Sequence, residues 1–449
     1  MIKFEMMDGI TIVVDSTSEF GGDAHPFAIL VITNAHCYLV DVDFIADNSA
    51  ETSGKAVQKF LINFLDGSLL EHVTAVVTDN TNAMPAMFRD YLKPILPNAK
   101  HQRCVAHILN RVGLDIYEHA FLQPLRDFQV KARSILKGKI NVARRRRLRK
   151  FCSTVPPDYT ATRWDSKYRN AHWYHNNLPQ FKAFIAAEIA VTENQFVHEL
   201  HTLMQSSTQL GDLQLQAAFF SVCAKPVMDL IHDIQIAVVP TLANKKGKFR
   251  PQMHRVWNQL AALDATLSDR SSYGSTLDEI LSALQPTDRD MLKGQFDSAL
   301  DRGVKKLRKY TSRHLDFVKQ ARVFDPRQCA SVRAEAGMGD SICNYTEVFR
   351  AADLTADLKA EWATYWKLDT VKNVDGFKLR EWWDSVEQKL PTLSKIARRV
   401  LSVPATGCDV ERSFSSLKWV RDERQLSMQE DTHRAAVLLH YNGLVGDWD

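Results

Sequence analysis

Apolar and polar positions follow two different rhythms along the chain. Ile10-Thr11-Ile12-Val13-Val14-Asp15 is a β-branched run, and Pro26-Phe27-Ala28-Ile29-Leu30-Val31-Ile32-Thr33 is a second, the two separated by the breakers Gly21-Gly22-Asp23. Cys37-Tyr38-Leu39-Val40-Asp41-Val42-Asp43-Phe44 alternates as a third strand. Three strands with short links predict an antiparallel meander. After Ser53-Gly54 the spacing becomes helical, with Val57, Phe60, Leu61, Phe64 and Leu65 expected on one buried face. His72-Val73-Thr74-Ala75-Val76-Val77-Thr78-Asp79 then reads as a buried strand ending on an acid, followed by a helical stretch carrying Met84, Met87, Phe88, Tyr91 and Leu92. A short fifth strand near Gln102-Arg103-Cys104-Val105 leads into a helix from about His107.

The order βββαβαβα, antiparallel first and crossing over afterwards, predicts an α/β fold of RNase H-like type with a mixed five-stranded sheet. From about residue 120 strand signals fade. Leu213 to Ile236, Arg255 to Leu267, Thr276 to Leu284 and Arg289 to Phe317 carry apolar residues at three- and four-residue spacing, as a helical bundle requires. The looser basic segment Asn244-Lys245-Lys246-Gly247-Lys248-Phe249-Arg250 reads as a loop.

Composition narrows the class. At 449 residues, 45% hydrophobic and 24% charged, the chain can bury a large core. No apolar run approaches the roughly 18 residues of a membrane span, and Met1-Ile2-Lys3-Phe4-Glu5 lacks signal-peptide order, so a soluble, unsecreted chain with no membrane partner is expected. The seven scattered cysteines contain no Cys-x-x-Cys pair, which points to reduced thiols and no zinc knuckle. A net charge of +4, from 57 basic and 53 acidic side chains, confines any nucleic-acid surface to a local patch. The densest basic run contains Arg144, Arg145, Arg146 and Arg147; it is readable as a solvated helix face, a DNA-phosphate contact or a nuclear-import signal.

Asp15 and Asp79 end two strands that lie side by side in an RNase H-like sheet. Carboxylates there are suited to a pair of divalent ions about 3.5–4 Å apart, clamping the two oxygens of a phosphodiester displacement. Acids at strand ends are also common turn formers, and two positions alone do not separate the readings.

The C-terminal part supplies a third acid. A proline-bounded stretch, Pro391 to Pro404, precedes Cys408-Asp409-Val410-Glu411-Arg412-Ser413-Phe414-Ser415, and the last helix reads Ala435-Ala436-Val437-Leu438-Leu439-His440-Tyr441-Asn442. This resembles the C-terminal dimerisation region of the hAT superfamily of DNA transposases, whose Ser-Glu-Arg-x-Phe-Ser element is met here except for Val410; Arg424 and Leu426 are further family-like positions. Asp15-Ser16-Thr17-Ser18 resembles the family's Asp-x-Trp-Thr start, with Thr17 and Ser18 departing from it. Thr78-Asp79-Asn80-Thr81-Asn82-Ala83-Met84 resembles its Thr-Asp-Asn-Ala-x-Asn-Met element, the second asparagine one position early. Cys104 to His107 with Leu109-Asn110, Arg163-Trp164, and Phe324-Asp325-Pro326-Arg327 match further elements in the family's order.

The resemblance implies an Asp-Asp-Glu triad at Asp15, Asp79 and Glu411 holding two Mg²⁺ or Mn²⁺ ions for DNA strand cleavage and transfer. It implies DNA partners (transposon ends and target DNA), a homodimer or higher oligomer, and the nucleus. The domain division it implies is 1–174 as the first part of the catalytic core, 175–385 as an all-helical insertion, and 386–449 as the dimerisation region completing the core. His107 would contact DNA or simply pack at its helix start; Trp164 would stack on an extruded base or fill the core; Arg163 would meet DNA or a buried acid. Cys104 reads more simply as a small buried residue than as a ligand. The family's N-terminal zinc-binding BED finger is expected to be missing, which would leave terminal-repeat readout without its element. Whether the chain is an active enzyme is left open by the residues. The alternative expected is a truncated or domesticated, catalytically inactive relative that dimerises or binds DNA or protein, with Trp362, Trp366, Trp382 and Trp383 filling a core or an interface.

Overall fold

A computed structural model describes residues 9–17, 25–33, 37–65, 67–159, 164–236, 253–368, 377–420 and 430–442. Its strands are β1 (Ile10–Ser16), β2 (His25–Ile32), β3 (Cys37–Ile45), β4 (Val73–Thr78) and β5 (Lys100–Arg103). The helices used below are α1 (Ala50–Phe64), α2 (Val105–Tyr117), α3 (Gln123–Leu136), α4 (Val142–Leu148), α5 (Trp164–Glu188), α6 (Ser207–Cys223), α7 (Pro286–His314), α8 (Pro391–Leu401), α9 (Cys408–Val420) and α10 (Glu430–Tyr441). The architecture is mixed α/β, predominantly helical, with one five-stranded sheet among the described residues. No helix among them is long and apolar enough to cross a membrane.

The sheet order is β3-β2-β1-β4-β5. β2 pairs antiparallel with β1 and β3, as the short links between them require; β4 joins β1 in parallel because α1 carries the chain across. β1 is central, and its β-branched run is buried on both faces. Ile12, Val14, Ile29, Val31 and Val76 point to one face, where α1 covers them with Val57, Phe60 and Leu61. The helical spacing also placed Phe64 on that face, but Phe64 is 45% exposed, because it is the last residue of α1 and Leu65, already extended, takes the buried place. On β3, at the sheet edge, the Asn442 carboxamide closes a two-bond ring with Leu39, accepting from its N–H at 3.0 Å and donating to its carbonyl at 2.8 Å.

Contacts group the chain into two compact units, neither continuous in sequence. The first comprises Met1–Ile108, Asp233–Leu260 and Tyr310–Asp449; the second comprises Leu109–His232 and Ala261–Lys309. In the first, α8 begins with Pro391, and the Glu361 carboxylate accepts from the free N–H groups of Thr392 and Leu393 at 3.1 and 2.7 Å. Arg399 of α8 pairs with Asp353 at 2.5 Å. Of the four tryptophans expected to fill a core or an interface, Trp362 and Trp383 are core while Trp366 and Trp382 are half-buried: Trp383 is fully enclosed and donates to the Phe324 carbonyl at 2.9 Å, and Trp362 donates to Asp340 O at 2.7 Å. Asp325 accepts from the Arg327 backbone and side chain and from Gln328, so the Asp-Pro-Arg element caps its own turn.

The second unit is helical, with a core of Phe128, Tyr174, Phe181, Phe219, Phe220 and Phe296. Trp164 opens α5 and lies against Gly113 of α2 so closely that a Cβ added there would come within 2.2 Å of the indole. Gly113→Ala is therefore expected to destabilise the protein by about 1–3 kcal/mol through overpacking. Gly211→Ala, inside α6 with open space around it, is expected to stabilise by about 0.5–1 kcal/mol. Urea denaturation of the two variants checks the opposite signs.

Candidate functional site

Three acids from distant parts of the chain meet at one end of the sheet. The β1/β4 register pairs Val13 with Val77, which sets Asp15 level with Asp79 two residues on. The buried Asp15 accepts only from the following N–H, that of Ser16, at 2.8 Å among the hydrogen bonds described. Asp79 stands past the end of β4, its Oδ1 accepting from the Thr81 N–H at 3.0 Å and the Thr81 hydroxyl at 2.8 Å, an Asx turn that fixes the carboxylate. Glu411 arrives in the first turn of α9, where the positive end of the helix favours a carboxylate. The segment ahead of α9 is strapped to the start of α2: the Val105 N–H donates to the Ala405 carbonyl at 2.9 Å and the Gly407 N–H to Cys104 Sγ at 3.2 Å. Gly407 also lies within 3.7 Å of Val13 when given a Cβ, so the strap passes directly over β1.

His107, one turn into α2, completes the cluster. Its Nε2 is 4.0 Å from Glu411 Oε1, and one donor atom each from Asp15, His107 and Glu411 lie within 4.8 Å of one another. His107 Nδ1 is buried and has no hydrogen-bond partner among the described residues. The sequence suggested Asp15, Asp79 and Glu411 as the ligand set; the tight group in the structure is Asp15, His107 and Glu411, with Asp79 next to it. The sequence offered His107 as a DNA contact or a packing residue at its helix start, not as a possible ligand; its signal was its position four residues beyond the end of β5, where the first turn of α2 presents it to the sheet end.

Burial pushes the Asp15 carboxyl up to about 7; the charge of His107 pulls it back, and Asp79 and Glu411 push it further up. A buried carboxylate crowded by two others is a group that a cation would relieve. Oxygen donors with one imidazole suit Mg²⁺ or Mn²⁺, so the residues fit such an ion. Cys104 and Cys408 do not join them as thiolates: burial pushes the Cys104 thiol up to about 12 and that of Cys408 well above its ordinary range.

The other residues expected to contact DNA lie elsewhere or are otherwise engaged. Trp164 is fully buried in the second unit, packed on Tyr168, Phe220 and Gly113, and presents no open ring face to a base; it takes the core alternative. Arg144 and Arg147 on α4 converge on the buried Glu188, Arg144 Nε at 3.1 Å and Arg147 NH2 at 2.8 Å from its Oε2. Arg145 donates to the carbonyls of Leu136 and Gly138, closing the end of α3. Of the run, Arg146 is exposed. Three of the four arginines of the run are thus tied to groups of the protein itself. Arg163, Arg424, Leu426 and the basic loop 244–250 lie outside the described residues.

Residues 361–442 match the model of the hAT family C-terminal dimerisation region. A stretch of 104 residues is 27% identical to the zinc finger BED domain-containing protein DAYSLEEPER of Arabidopsis thaliana, covering 23% of this chain. The chain spans about 15% of the length of that relative. These matches make the chain similar, in its C-terminal part, to the hAT family, and the region matched by the family model contains Glu411.

The electrostatics set a pH dependence. The folded state holds the Asp15 proton up to about pH 7, whereas an unfolded chain releases it near the ordinary value of 3.8. Ionisation across that window therefore costs the folded state, and metal-free protein is expected to lose stability as pH rises from about 4 to 7, by on the order of 4 kcal/mol at most. Asp15→Asn should flatten that part of the profile. Thermal melts over pH in EDTA check this; a wild-type profile no steeper than that of Asp15→Asn contradicts it.

Proposed function

We propose that this chain is the catalytic part of a hAT-type transposase: an RNase H-like core, interrupted by a helical insertion and closed by the dimerisation region, that cuts and joins DNA strands. The convergence of Asp15 and Glu411 from opposite parts of the chain, with Asp79 beside them, is the observation that carries this reading. Asp15, Asp79 and Glu411 would hold two Mg²⁺ or Mn²⁺ ions, with His107 at hand as a fourth donor. Such ions, when bound, activate water and then a 3′-hydroxyl and neutralise the phosphodiester's developing charge. The protein's own part is to fix the donors. The Ser16 N–H orients Asp15 and the Asx turn orients Asp79. The strap on Cys104 and Val105 brings Glu411 in. His107 offsets the negative charge the three acids share. With such a substrate the protein would work in the nucleus.

A supercoiled-plasmid nicking assay with Mg²⁺ or Mn²⁺ tests the reading. Nicking by the wild type is expected to fall about a thousandfold in Asp15→Asn and in Glu411→Gln, the equivalent of several kcal/mol of transition-state charge stabilisation. The matched dimerisation region supports a second property that does not need the acids: light scattering is expected to give about twice the chain mass. A dimer without divalent-dependent nicking would leave a non-catalytic binding module, the second reading.

A further inference from the structure

Arg103 ends β5, opposite Thr78 in the parallel β4/β5 ladder, and precedes Cys104 and His107 in sequence. The residues just beyond this rung belong to the site's rim. The Cys104 N–H donates to the Thr78 carbonyl at 2.9 Å, the Asn80 carboxamide donates to the Cys104 carbonyl at 3.0 Å, and Asp79 lies between Thr78 and Asn80. His101 shares the Arg103 side of the strand and stacks on Phe88 at 5.1 Å, on the face that α1 covers. The guanidinium thus flanks the rim on the face opposite Asp15.

Arg103 is partly withdrawn from water, and burial lowers its pKa; among the described residues the titratable group that supports its charge is the Tyr310 phenol, with no carboxylate. His101, on the same side of the strand, is held neutral, its pKa pushed down to about 4 by burial and by the charges of Arg103 and His314. Other withdrawn arginines in this protein are satisfied by carboxylates or carbonyls. Arg144 has Glu188, Arg398 has Asp384 and Glu387, and Arg399 has Asp353. Arg350 donates to the carbonyls of Glu71, His72 and Val73. A half-buried guanidinium at a strand end, with neither a carboxylate nor a carbonyl partner among the described residues, is set to receive an anion, and its planar fork matches a phosphate.

We propose that Arg103 is a positioning residue that grips a backbone phosphate of the DNA strand entering the carboxylate site, flanking the phosphate that reacts. The inference rests on the nuclease reading above and adds to it the group that sets the strand's register. Phosphate contacts of this kind position without reading sequence.

Fluorescence anisotropy with a short labelled DNA duplex over a salt series, in EDTA so that no cutting occurs, tests it on wild type, Arg103→Gln, Arg103→Lys and Asp15→Asn. Arg103→Gln is expected to weaken binding about tenfold and to lower the slope of log K against log salt by about 0.9, one phosphate contact. Arg103→Lys should keep most of the slope, and Asp15→Asn should bind at least as well as wild type. Thermal melts separate a structural role: with no hydrogen-bond or ion-pair partner to lose among the described residues, Arg103→Gln should melt at or above the wild-type temperature, and inorganic pyrophosphate should raise the wild-type temperature more than that of the variant. Unchanged affinity and slope in Arg103→Gln, a lowered melting temperature in that variant, tighter binding of an RNA duplex than of DNA, or no DNA binding by wild type at low salt would each overturn the proposal. Plasmid nicking distinguishes the two readings. Arg103-dependent binding without nicking overturns the nuclease alone, and nicking with Arg103-independent binding overturns the positioning role alone.

Discussion

Everything at the candidate site depends on the return of residues 405–411 to a sheet built from the first hundred residues. Two backbone donors, the N–H groups of Val105 and Gly407, hold that return in place, one on the Ala405 carbonyl and the other on the Cys104 sulfur. The contact is backbone-led, and position 407 lies at ordinary van der Waals range over Val13. Glu411 is then delivered by geometry, at the fourth residue of a helix whose start is fixed. The aromatic core beneath α8 and the Asp353–Arg399 pair support the same return from the other side of the chain's path, by fixing α8 before the strap begins.

Such a site is costly to keep. Asp15 is buried among like charges, and only His107 among the groups acting on it offers relief apart from a backbone N–H. Cores do not ordinarily retain such an arrangement, since an unpaired buried acid opposes folding; sites of this type persist where a ligand uses the stored repulsion. Arg103, at the end of β5, is the complementary case, a cation with no carboxylate partner among the described residues. Opposite charges thus sit at the ends of β1 and β5, with β4 between them, on opposite faces of the sheet.

Much of the sheet was legible because its strands are β-branched runs whose periodicity nothing else explains: Ile10–Val14, Phe27–Ile32 and Val73–Val77 all fall within strands. The long helices were legible for the same reason: of the stretch expected from Arg289 to Phe317, α7 contains all up to His314, where the helix ends. Local pattern failed where the outcome is decided by residues far away. Arg144 and Arg147 look solvated until Glu188, some forty residues on, turns inward and takes both. Phe64 fits the apolar stripe of α1 yet faces out, since the helix ends at that residue. At the site, strand-end position marked Asp15 and Asp79, and Glu411 was found by motif resemblance; no periodicity links residue 411 to residue 15. The place of His107 in the group is a property of the fold's closure, which no short window contains.

The wide sequence separation of the acids also has a temporal meaning. At about 5–20 residues per second on the ribosome, the segment that carries Glu411 emerges on the order of tens of seconds after Asp15. The sheet's hydrophobic strands and Asp79 are synthesised early, but their third acid is not yet made. The same holds for the edge of the sheet, where Leu39 waits for Asn442. A nascent or prematurely ended chain is therefore left both without the assembled acid site and with an unsealed strand edge open to pairing with another copy. Completion of synthesis closes both at once.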